Sequence, residues 1–318
     1  QTGITVALPY IADELDAQET ISWAGTSALI SNTVFMGIGG RLSDIFSRKY
    51  VLIGCFITSG LGDLACGFAQ TPYQFYLCRA FCGIGSAGIS SLTMVIVSDV
   101  ITLQQRGFYQ GILGSCSGLG NCIGPFLASV FVTHASWRKF YFTLSPIMLA
   151  SSTVVWKIIP YTHLSVNVKE KLLQIDYLGI VSSAITVVFL LIPISGGGST
   201  FGWTSALVIT FLTIGGIGSI LFVIVEVKFA RLPIIPMHLF TSRASLTFLL
   251  LQNFFFGMCH YAVIYYGPYY FQTVRGFSMT KTPVFMLCFV LPLISTSVIS
   301  GQIISRTMQN FSKKQSAG

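Results

Sequence analysis

Long apolar runs, separated by short polar connectors, set the pattern of this chain. An α-helix needs about 20 apolar residues to cross the hydrocarbon core of a bilayer. Runs of that length lie at 22–40, 51–69, 73–98, 108–132, 140–160, 177–195, 204–225, 244–266 and 283–305. Residues 1–12 have the character of the last half of one more helix, with Pro9 near its end. The pattern predicts about nine complete transmembrane helices plus a partial first helix.

The composition supports an all-α integral membrane protein and argues against a water-soluble one. Hydrophobic residues make up 53% of the 318 positions and charged residues only 9%, whereas soluble domains carry about 25% charged residues. A single soluble core cannot bury so much apolar surface, so the solvent for most of it must be lipid. The net charge of +8 does not indicate nucleic-acid binding, because the basic residues lie between apolar runs and form no basic helical face.

The lysines and arginines divide unequally between alternate connectors, as the positive-inside rule requires. If the connector 41–50 is cytoplasmic, 13 of the 18 basic residues lie on the cytoplasmic side and 4 on the outer side. The outer connector 13–19 holds only acidic charges. This division supports both the number of predicted helices and their orientation. It also places the one long polar connector, roughly 161–176, in the cytoplasm, where it predicts a boundary between two helical bundles.

The sequence indicates neither an enzyme nor a metal site. All eight cysteines lie inside apolar runs, where they are expected as small packing residues. Cys78 and Cys82 share a helix face, but no histidine or carboxylate joins them at ligand spacing. No set of nucleophile, base and orienting group is evident in the sequence. We therefore expect no cofactor.

Two charged residues lie well inside predicted helices, away from their cytoplasmic ends, and are the first candidates for function. Arg79 lies about two turns from the outer end of the fourth helix, where an arginine is costly unless it faces a cavity or a partner. It is a candidate for substrate binding or proton coupling; the alternative is that its side chain reaches the outer headgroups. Asp63 is a candidate for proton exchange; the alternative is a capping or interface residue near the outer surface. A contact between the two is possible, because they lie on consecutive helices.

The fifth predicted helix is rich in glycine, and the last of its glycines belong to the segment Gly120-x-x-x-Gly124-Pro125. So many glycines before a proline in the middle of the membrane predict a thin, bendable helix. Such a helix would act as a hinge or as a gasket between moving halves. Asn121, in the same segment, is a further candidate for contact with substrate or protons.

The predicted helix at 244–266 carries a polar and aromatic stripe that includes Gln252, Asn253, His260 and Tyr261. A binding cavity would use such residues, so they are also candidates for contact with substrate or protons. For each of them the alternative is an interface aromatic or a satisfied hydrogen bond between helices.

The connector 40–49 is a cluster of charges between two apolar runs. Its simpler interpretation is a basic connector that orients the flanking helices. The other interpretation is a conformational latch of a transporter, because Asp44 and Arg48 are four residues apart and can pair.

These motifs resemble the signatures of the major facilitator superfamily. The positions of the connector that match the family's cytoplasmic signature are Gly40, Leu42, Asp44, Arg48 and Lys49. Ser47 replaces a glycine of that signature. Arg79-x-x-x-Gly83 is similar to the fourth-helix signature, with Cys82 where glutamine is usual. Gly120-x-x-x-Gly124-Pro125 is similar to the fifth-helix antiporter signature.

Two further motifs are similar to the fungal 14-span drug:proton antiporter-like branch in particular. They are Trp137-Arg138, which opens the sixth helix, and Asp176-x-x-Gly179, which opens the seventh. In this family the first helix begins earlier, and about four helices should follow Arg306. We therefore expect this chain to be part of a longer protein or a truncated product.

The resemblance implies major facilitator-type helical bundles. Residues 1–160 would form an N-terminal six-helix bundle with an incomplete first helix, and 161–176 would be a cytoplasmic linker. Residues 177–226 would form two extra linker helices, and 227–318 would start an incomplete C-terminal bundle.

The resemblance also implies a proton-coupled secondary transporter that moves small amphipathic or cationic compounds by alternating access, as in drug or toxin efflux. One alternative is a vacuolar basic amino acid transporter of the same superfamily, and another is a truncated membrane protein without transport activity. The implied partners are a small-molecule substrate, protons and the lipid bilayer, with no nucleic acid. We expect a monomer in the plasma membrane or the vacuolar membrane.

Single residues acquire roles from the same resemblance. It implies proton coupling by Arg79 and a hinge at Gly120, Gly124 and Pro125. The implied cytoplasmic latch consists of Gly40, Asp44, Arg48, Lys49, Asp99 and Arg106. In this latch Arg48 would pair with Asp44 and with Asp99 at the end of the fourth helix, and breaking the pairs would open the cytoplasmic side.

Overall fold

A computed structural model describes residues 2–159, 176–198, 200–228, 244–278 and 281–316 of the chain. These residues form ten α-helices, and the prediction of an all-α protein is confirmed. In chain order the helices are α1 Thr2–Glu14, α2 Ser22–Phe46, α3 Arg48–Phe68, α4 Pro72–Val100, α5 Arg106–His134, α6 Trp137–Ile158, α7 Tyr177–Gly196, α8 Ala206–Lys228, α9 Ala244–Thr273 and α10 Lys281–Ser316.

Seven of these helices are long and apolar enough to cross a membrane, namely α3, α4, α5, α7, α8, α9 and α10. The predicted runs at 22–40 and 140–160 also form helices, α2 and α6, but these two are not among the seven. Both are less apolar, because serine and threonine residues interrupt their apolar sequence. The described residues therefore support seven candidate spans, and the count of nine complete spans is not confirmed.

The chain divides into two compact units. The first comprises residues 1–11, 93–140 and 257–318, and in it α5 packs along α10. The second comprises residues 12–92 and 141–256; in it α7 pairs with α8, and α2 packs against α3 and α7. The division into bundles and linker helices at 160, 176 and 226 stays a prediction. Most of the predicted linker 161–176 lies outside the described residues.

Glycines in α4 allow its backbone to approach α2 and α3 closely in the second unit. A Cβ atom on Gly85 would lie 2.6 Å from the carbonyl oxygen of Cys55 and 2.6 Å from the amide nitrogen of Ser59. Gly83 faces the backbone of Ala28 in α2 in the same way. No side chain fits into such a space, so α4 contacts both neighbours through backbone atoms. With this close packing, Asp63 of α3 and Arg79 of α4 lie in the interior of the unit.

Ser47 separates α2 from α3. Its φ of 78° and ψ of 133° lie in a region that favours glycine, and the residue is buried. The helix α3 begins at the next residue, and the Val51 amide donates a hydrogen bond to the Ser47 carbonyl at 3.3 Å. The serine thus adopts a conformation for which the glycine of the family signature is better suited.

The helix α7 begins with a side-chain cap. The Oδ1 atom of Asp176 accepts a hydrogen bond from the Gly179 amide at 2.8 Å, which satisfies one of the free amides at the helix N-terminus. A Cβ atom on Gly179 would collide with this carboxylate, so the cap explains the glycine. At the other end of α7, the hydroxyl groups of Ser195 and Thr26 hydrogen-bond at 2.8 Å and join α7 to α2.

Glycines also bring α5 and α10 together in the first unit. A Cβ atom on Gly301 would lie 2.5 Å from the carbonyl oxygen of Gly107. One on Gly111 would lie 2.8 Å from the carbonyl oxygen of Ser297. α5 belongs to the predicted N-terminal bundle and α10 to the predicted C-terminal bundle, and the role of α5 as a gasket stays a prediction.

Alanine at position 301 should loosen this contact, because the neighbouring atom is backbone and cannot rotate away. We expect Gly301→Ala to lower the stability of the purified protein by about 1–3 kcal/mol, as is typical of overpacking. Gly257→Ala in α9 is the matched control, since no atom lies within 4 Å of its Cβ position. Thermal unfolding in detergent measures both variants. Equal unfolding temperatures for the two would contradict the packing.

Candidate transport site

Arg79 is buried in the second unit and lacks a full set of hydrogen-bond partners. The side chain is 5% exposed, and its Nε atom donates to the carbonyl of Ala24 in α2 at 3.3 Å. Its Nη2 atom is buried and has no hydrogen-bond partner among the described residues. The alternative that this side chain reaches the outer headgroups is therefore wrong. A buried, unsatisfied guanidinium nitrogen is costly, and it points to a ligand.

Asp63 lies in the same interior as Arg79. The carboxylate is 6% exposed, and its Oδ1 atom accepts a hydrogen bond from the Cys82 thiol at 3.3 Å. Asp63 attracts Arg79 electrostatically, but no ion pair within 4.0 Å joins these two residues. The carboxyl group of Asp63 and the guanidinium group of Arg79 therefore share this interior without direct contact.

Tyr141 completes the group, and sequence reasoning missed it. This residue of α6 is 2% exposed, and its ring packs edge-on against Phe75 of α4 at 5.9 Å between centroids. Its phenol group lies near the guanidinium group of Arg79. We call Asp63, Arg79, Cys82 and Tyr141 the buried polar cluster. The signal for Tyr141 in the sequence was weak, because aromatic residues are common near the ends of membrane helices.

Asn32 is a second polar residue that the sequence reasoning passed over. Its Nδ2 atom donates to the Ser86 hydroxyl at 3.0 Å and so joins α2 to α4. The signal for this residue in the sequence was a polar amide side chain within an apolar helix. Among the described residues, no group of three or more histidines, cysteines and carboxylates could hold a metal ion.

The predicted hinge segment of α5 contacts α1. The Thr2 hydroxyl of α1 donates to the Asn121 carbonyl at 3.3 Å, and a Cβ atom on Gly124 would lie 3.3 Å from the Gly3 amide nitrogen. Pro125 is buried, whereas the Cβ position of Gly120 has no atom within 4 Å. In the first unit, α5 thus contacts α1 through its hinge segment and α10 through its other glycines.

The polar and aromatic stripe of α9 is largely exposed. Gln252 and Asn253 belong to the second unit, but they are exposed and do not join the buried polar cluster. Tyr261 is 55% exposed. His260 is half-buried, and its ring lies 6.0 Å from that of Phe289 in α10.

The latch residues of the second unit include one ion pair. The Nη2 atom of Arg48 lies 3.6 Å from the Oδ1 atom of Asp44, and the two side chains are 32% and 51% exposed. Gly40 accepts a hydrogen bond from the Ser43 hydroxyl at 2.6 Å, and Lys49 is half-buried. An exposed ion pair contributes about 0–1 kcal/mol to stability. The pair therefore adds little to the stability of the fold, and the role predicted for it is control of conformation.

The remaining latch residues belong to the first unit. The Nη2 atom of Arg106 donates to the Ser98 carbonyl at 2.9 Å and so satisfies one of the last carbonyl groups of α4. Asp99 lies in the same helical turn and is exposed. The predicted pair between Arg48 and Asp99 stays a prediction.

A cavity of about 330 Å³ lies in the first unit beside the start of α5 and the middle of α10. Its lining residues are Gln105, Phe108, Tyr109, Gln302, Ser305 and Arg306. The cavity is on the predicted cytoplasmic side, and Arg306 gives it a positive charge.

Three known proteins illustrate what the chain resembles. It is 46% identical over 306 residues to citrate exporter 1 of Yarrowia lipolytica. The match covers 96% of this chain and 45% of the exporter. It is 30% identical over 299 residues to efflux pump dotC of Dothistroma septosporum, with 94% and 51% of the two chains covered. It is 28% identical over 303 residues to the multidrug transporter protein MdtP of Bacillus subtilis, with 95% and 55% covered. The chain thus spans about half the length of these relatives.

The family comparison covers nearly the whole chain. The sequence profile of the Major Facilitator Superfamily matches residues 1–316. The seven long apolar helices agree with this match. The chain therefore belongs to the Major Facilitator Superfamily, a family of transporters, and is an integral, multi-pass membrane protein.

Proposed function

We propose that the protein is a secondary transporter that exports small organic polyanions by alternating access, and that Arg79 binds a carboxylate of the substrate. The observation that carries this proposal is the buried Nη2 atom of Arg79, which has no hydrogen-bond partner among the described residues. The planar guanidinium group of arginine is well matched to carboxylate geometry. A bound carboxylate would satisfy Nη2 and offset the charge that burial makes costly.

The relatives support a polycarboxylate as the cargo. The relative named as a citrate exporter is 46% identical to this chain, whereas the efflux pump and the multidrug transporter are 30% and 28% identical. Citrate carries three carboxyl groups and is therefore the natural probe for the class. A positive charge at Arg306, in the cavity on the predicted cytoplasmic side, would help to attract such an anion.

The membrane potential favours export of such a cargo. Moving one elementary charge across 100 mV corresponds to about 2.3 kcal/mol, so a trivalent anion gains about 7 kcal/mol when it leaves a negative cytoplasm alone and about 4.6 kcal/mol when one proton leaves with it. This gain is available at the plasma membrane, where we place an exporter.

Asp63 is the group to which we assign proton coupling. Asp63 and a bound carboxylate would compete for the same guanidinium group, and a proton on Asp63 relieves the repulsion between them. The proton would then leave the cell together with the anion. The Cys82 hydrogen bond holds the carboxylate of Asp63 in place during this exchange.

A second candidate is proton-driven efflux of amphipathic or cationic compounds. It is favoured by Asp63 itself, which is buried and does not form an ion pair with Arg79, so a cationic substrate could occupy the space beside it. Export of a cation against an inside-negative potential needs energy, which exchange for an incoming proton would supply. The two candidates predict opposite directions of proton movement. Basic amino acid uptake into a vacuole would follow the cation scheme, in the vacuolar membrane.

We assign the conformational change to the hinge of α5 and to the contact between α5 and α10. The hinge at Gly120, Gly124 and Pro125 would let α5 bend, and the glycine contact between α5 and α10 would open and close. The latch pair of Asp44 and Arg48 would hold one of the two states. The α9 residues Gln252, Asn253, His260 and Tyr261, together with Asn121, stay candidates for contact with substrate.

Replacing Arg79 tests the anion site. We expect Arg79→Lys to reduce the flux of citrate across liposomes by roughly tenfold, because the charge remains while a charge-assisted hydrogen bond is lost. Arg79→Ala should abolish flux. Arg138→Lys is the matched control, since this arginine stacks on Trp137 at 4.4 Å and is not part of the buried polar cluster, and its flux should stay close to that of the wild type. Citrate flux that survives in Arg79→Ala, or that never occurs in the wild type, would overturn the proposal.

Replacing Asp63 tests proton coupling. In liposomes with a pH-sensitive dye, citrate efflux by the wild type should carry protons in the same direction as citrate. Asp63→Asn should still move citrate down a membrane potential, but its flux should no longer respond to a pH gradient, because the amide cannot exchange a proton. Asp13→Asn, at an exposed position, is the control and should behave as the wild type. An undiminished response to pH in Asp63→Asn would remove this residue from the coupling.

Exchanging the charges of the latch pair tests its role. We expect Asp44→Arg to abolish transport, because two like charges at this separation repel each other. The double variant Asp44→Arg with Arg48→Asp should restore most of the flux, since the pair is re-formed with reversed signs. Surface labelling reports membrane insertion, which should not change in either variant. If the double variant stays as inactive as the single one, the pair is not the functional unit.

A further inference from the structure

Three cysteines lie together beside Asp63 in the second unit. Cys66 of α3 is 0% exposed and Cys82 of α4 is 6% exposed, whereas Cys78 of α4 is half-buried. The side chain of Cys66 lies beside those of Cys78 and Cys82. Cys82 in turn donates to the Asp63 carboxylate at 3.3 Å. A continuous line of contacts therefore runs from the half-buried thiol of Cys78 to the candidate proton-coupling group.

The packing of α3 on α4 independently places Cys66 opposite Cys78. A Cβ atom on Gly62 would lie 2.9 Å from the Sγ atom of Cys82 and 3.4 Å from the carbonyl oxygen of Cys78. The two helices are consecutive and run in opposite directions. Moving one turn from Gly62 and Cys82 toward the connector that joins them therefore reaches Cys66 on one helix and Cys78 on the other. Cys66 and Cys78 therefore lie on the facing sides of the two helices.

We propose that Cys66 and Cys78 are a modification site, a thiol pair that hydrogen peroxide converts reversibly into a disulfide. The half-buried Cys78 reacts first, and its thiol with one peroxide molecule gives a sulfenic acid and one water molecule. The Cys66 thiol then attacks the Sγ atom of Cys78, which forms the S–S bond and releases the hydroxyl group as a second water molecule. Two thiols are oxidised by loss of two electrons and two protons, and one peroxide is reduced to two water molecules.

The disulfide changes the surroundings of Asp63. Cys66 loses its thiol proton and its side chain becomes fixed to Cys78, which changes the surroundings of Cys82, the residue that holds the Asp63 carboxylate. This consequence rests on the proposed role of Asp63 in transport. A hydrogen bond near a charged group changes an equilibrium by roughly tenfold, so oxidation should slow citrate flux by a factor of that order.

Peptide mapping tests the modification itself. The protein in liposomes is treated with hydrogen peroxide, its remaining thiols are alkylated, and its peptides are analysed by mass spectrometry. We expect a Cys66–Cys78 cross-link that dithiothreitol removes. Cys66→Ser should instead leave Cys78 as a sulfenic acid that dimedone labels. Cys55→Ser is the matched control, since Cys55 is another buried cysteine of α3 that faces α4, at Gly88, and the cross-link should still form. Absence of the cross-link in the wild type overturns the proposal.

Citrate flux in the same liposomes tests the effect on Asp63. Peroxide should slow the wild type and Cys55→Ser, but it should not slow Cys78→Ser relative to the untreated rate of that variant. A complete disulfide with unchanged wild-type flux would overturn the link to Asp63. Failure of the proposed function is distinguishable, because it would appear as missing citrate flux before any oxidant is added.

Discussion

The burial of Arg79 is the constraint on which the second unit depends. A guanidinium group removed from water must find partners inside the protein, and here the carbonyl of Ala24 supplies one of them. That carbonyl can approach only because α4 carries glycines, one of which, Gly83, lies directly against the backbone of α2. The glycines of α4 and its buried arginine are therefore linked, because the glycines allow the close approach of the helices that gives the arginine a hydrogen-bond partner.

Asp63 and Arg79 are not in direct contact, and the proposed function depends on this separation. A closed ion pair would leave neither charge for a ligand, whereas here Cys82 holds the carboxylate and Ala24 holds the guanidinium group. An anionic substrate would meet Arg79 and a cationic one would meet Asp63. The sign of the cargo then decides which way a proton must move, because the charge of the site has to be balanced in each case.

The apolar pattern of the sequence predicted the helices well and their ends less well. The run at 22–40 stops at the first charged residue, but α2 continues to Phe46 and ends only where Ser47 takes a positive φ. Hydropathy reports the solvent around a helix, whereas the end of a helix depends on backbone conformation. The apolar run at 244–266 likewise ends before α9 does, since α9 continues through Pro268 to Thr273.

The candidate site was only partly visible in the sequence. Arg79 and Asp63 stood out, because charges inside apolar runs are rare and costly. Their partners did not, since the Ala24 carbonyl has no sequence signature and Tyr141 comes from a helix more than fifty residues away. The grouping of Cys66 with Cys78 was hidden for the same reason. It depends on the register of α3 against α4, which the spacing of cysteines along one helix does not specify.

A structure of the protein determined with citrate bound tests the central claim most directly. The account predicts a citrate carboxylate within hydrogen-bonding distance of the Nη2 atom of Arg79, with the Asp63 carboxyl group still held by Cys82. Citrate bound away from Arg79, or Arg79 closed onto Asp63 while citrate is bound, would contradict it.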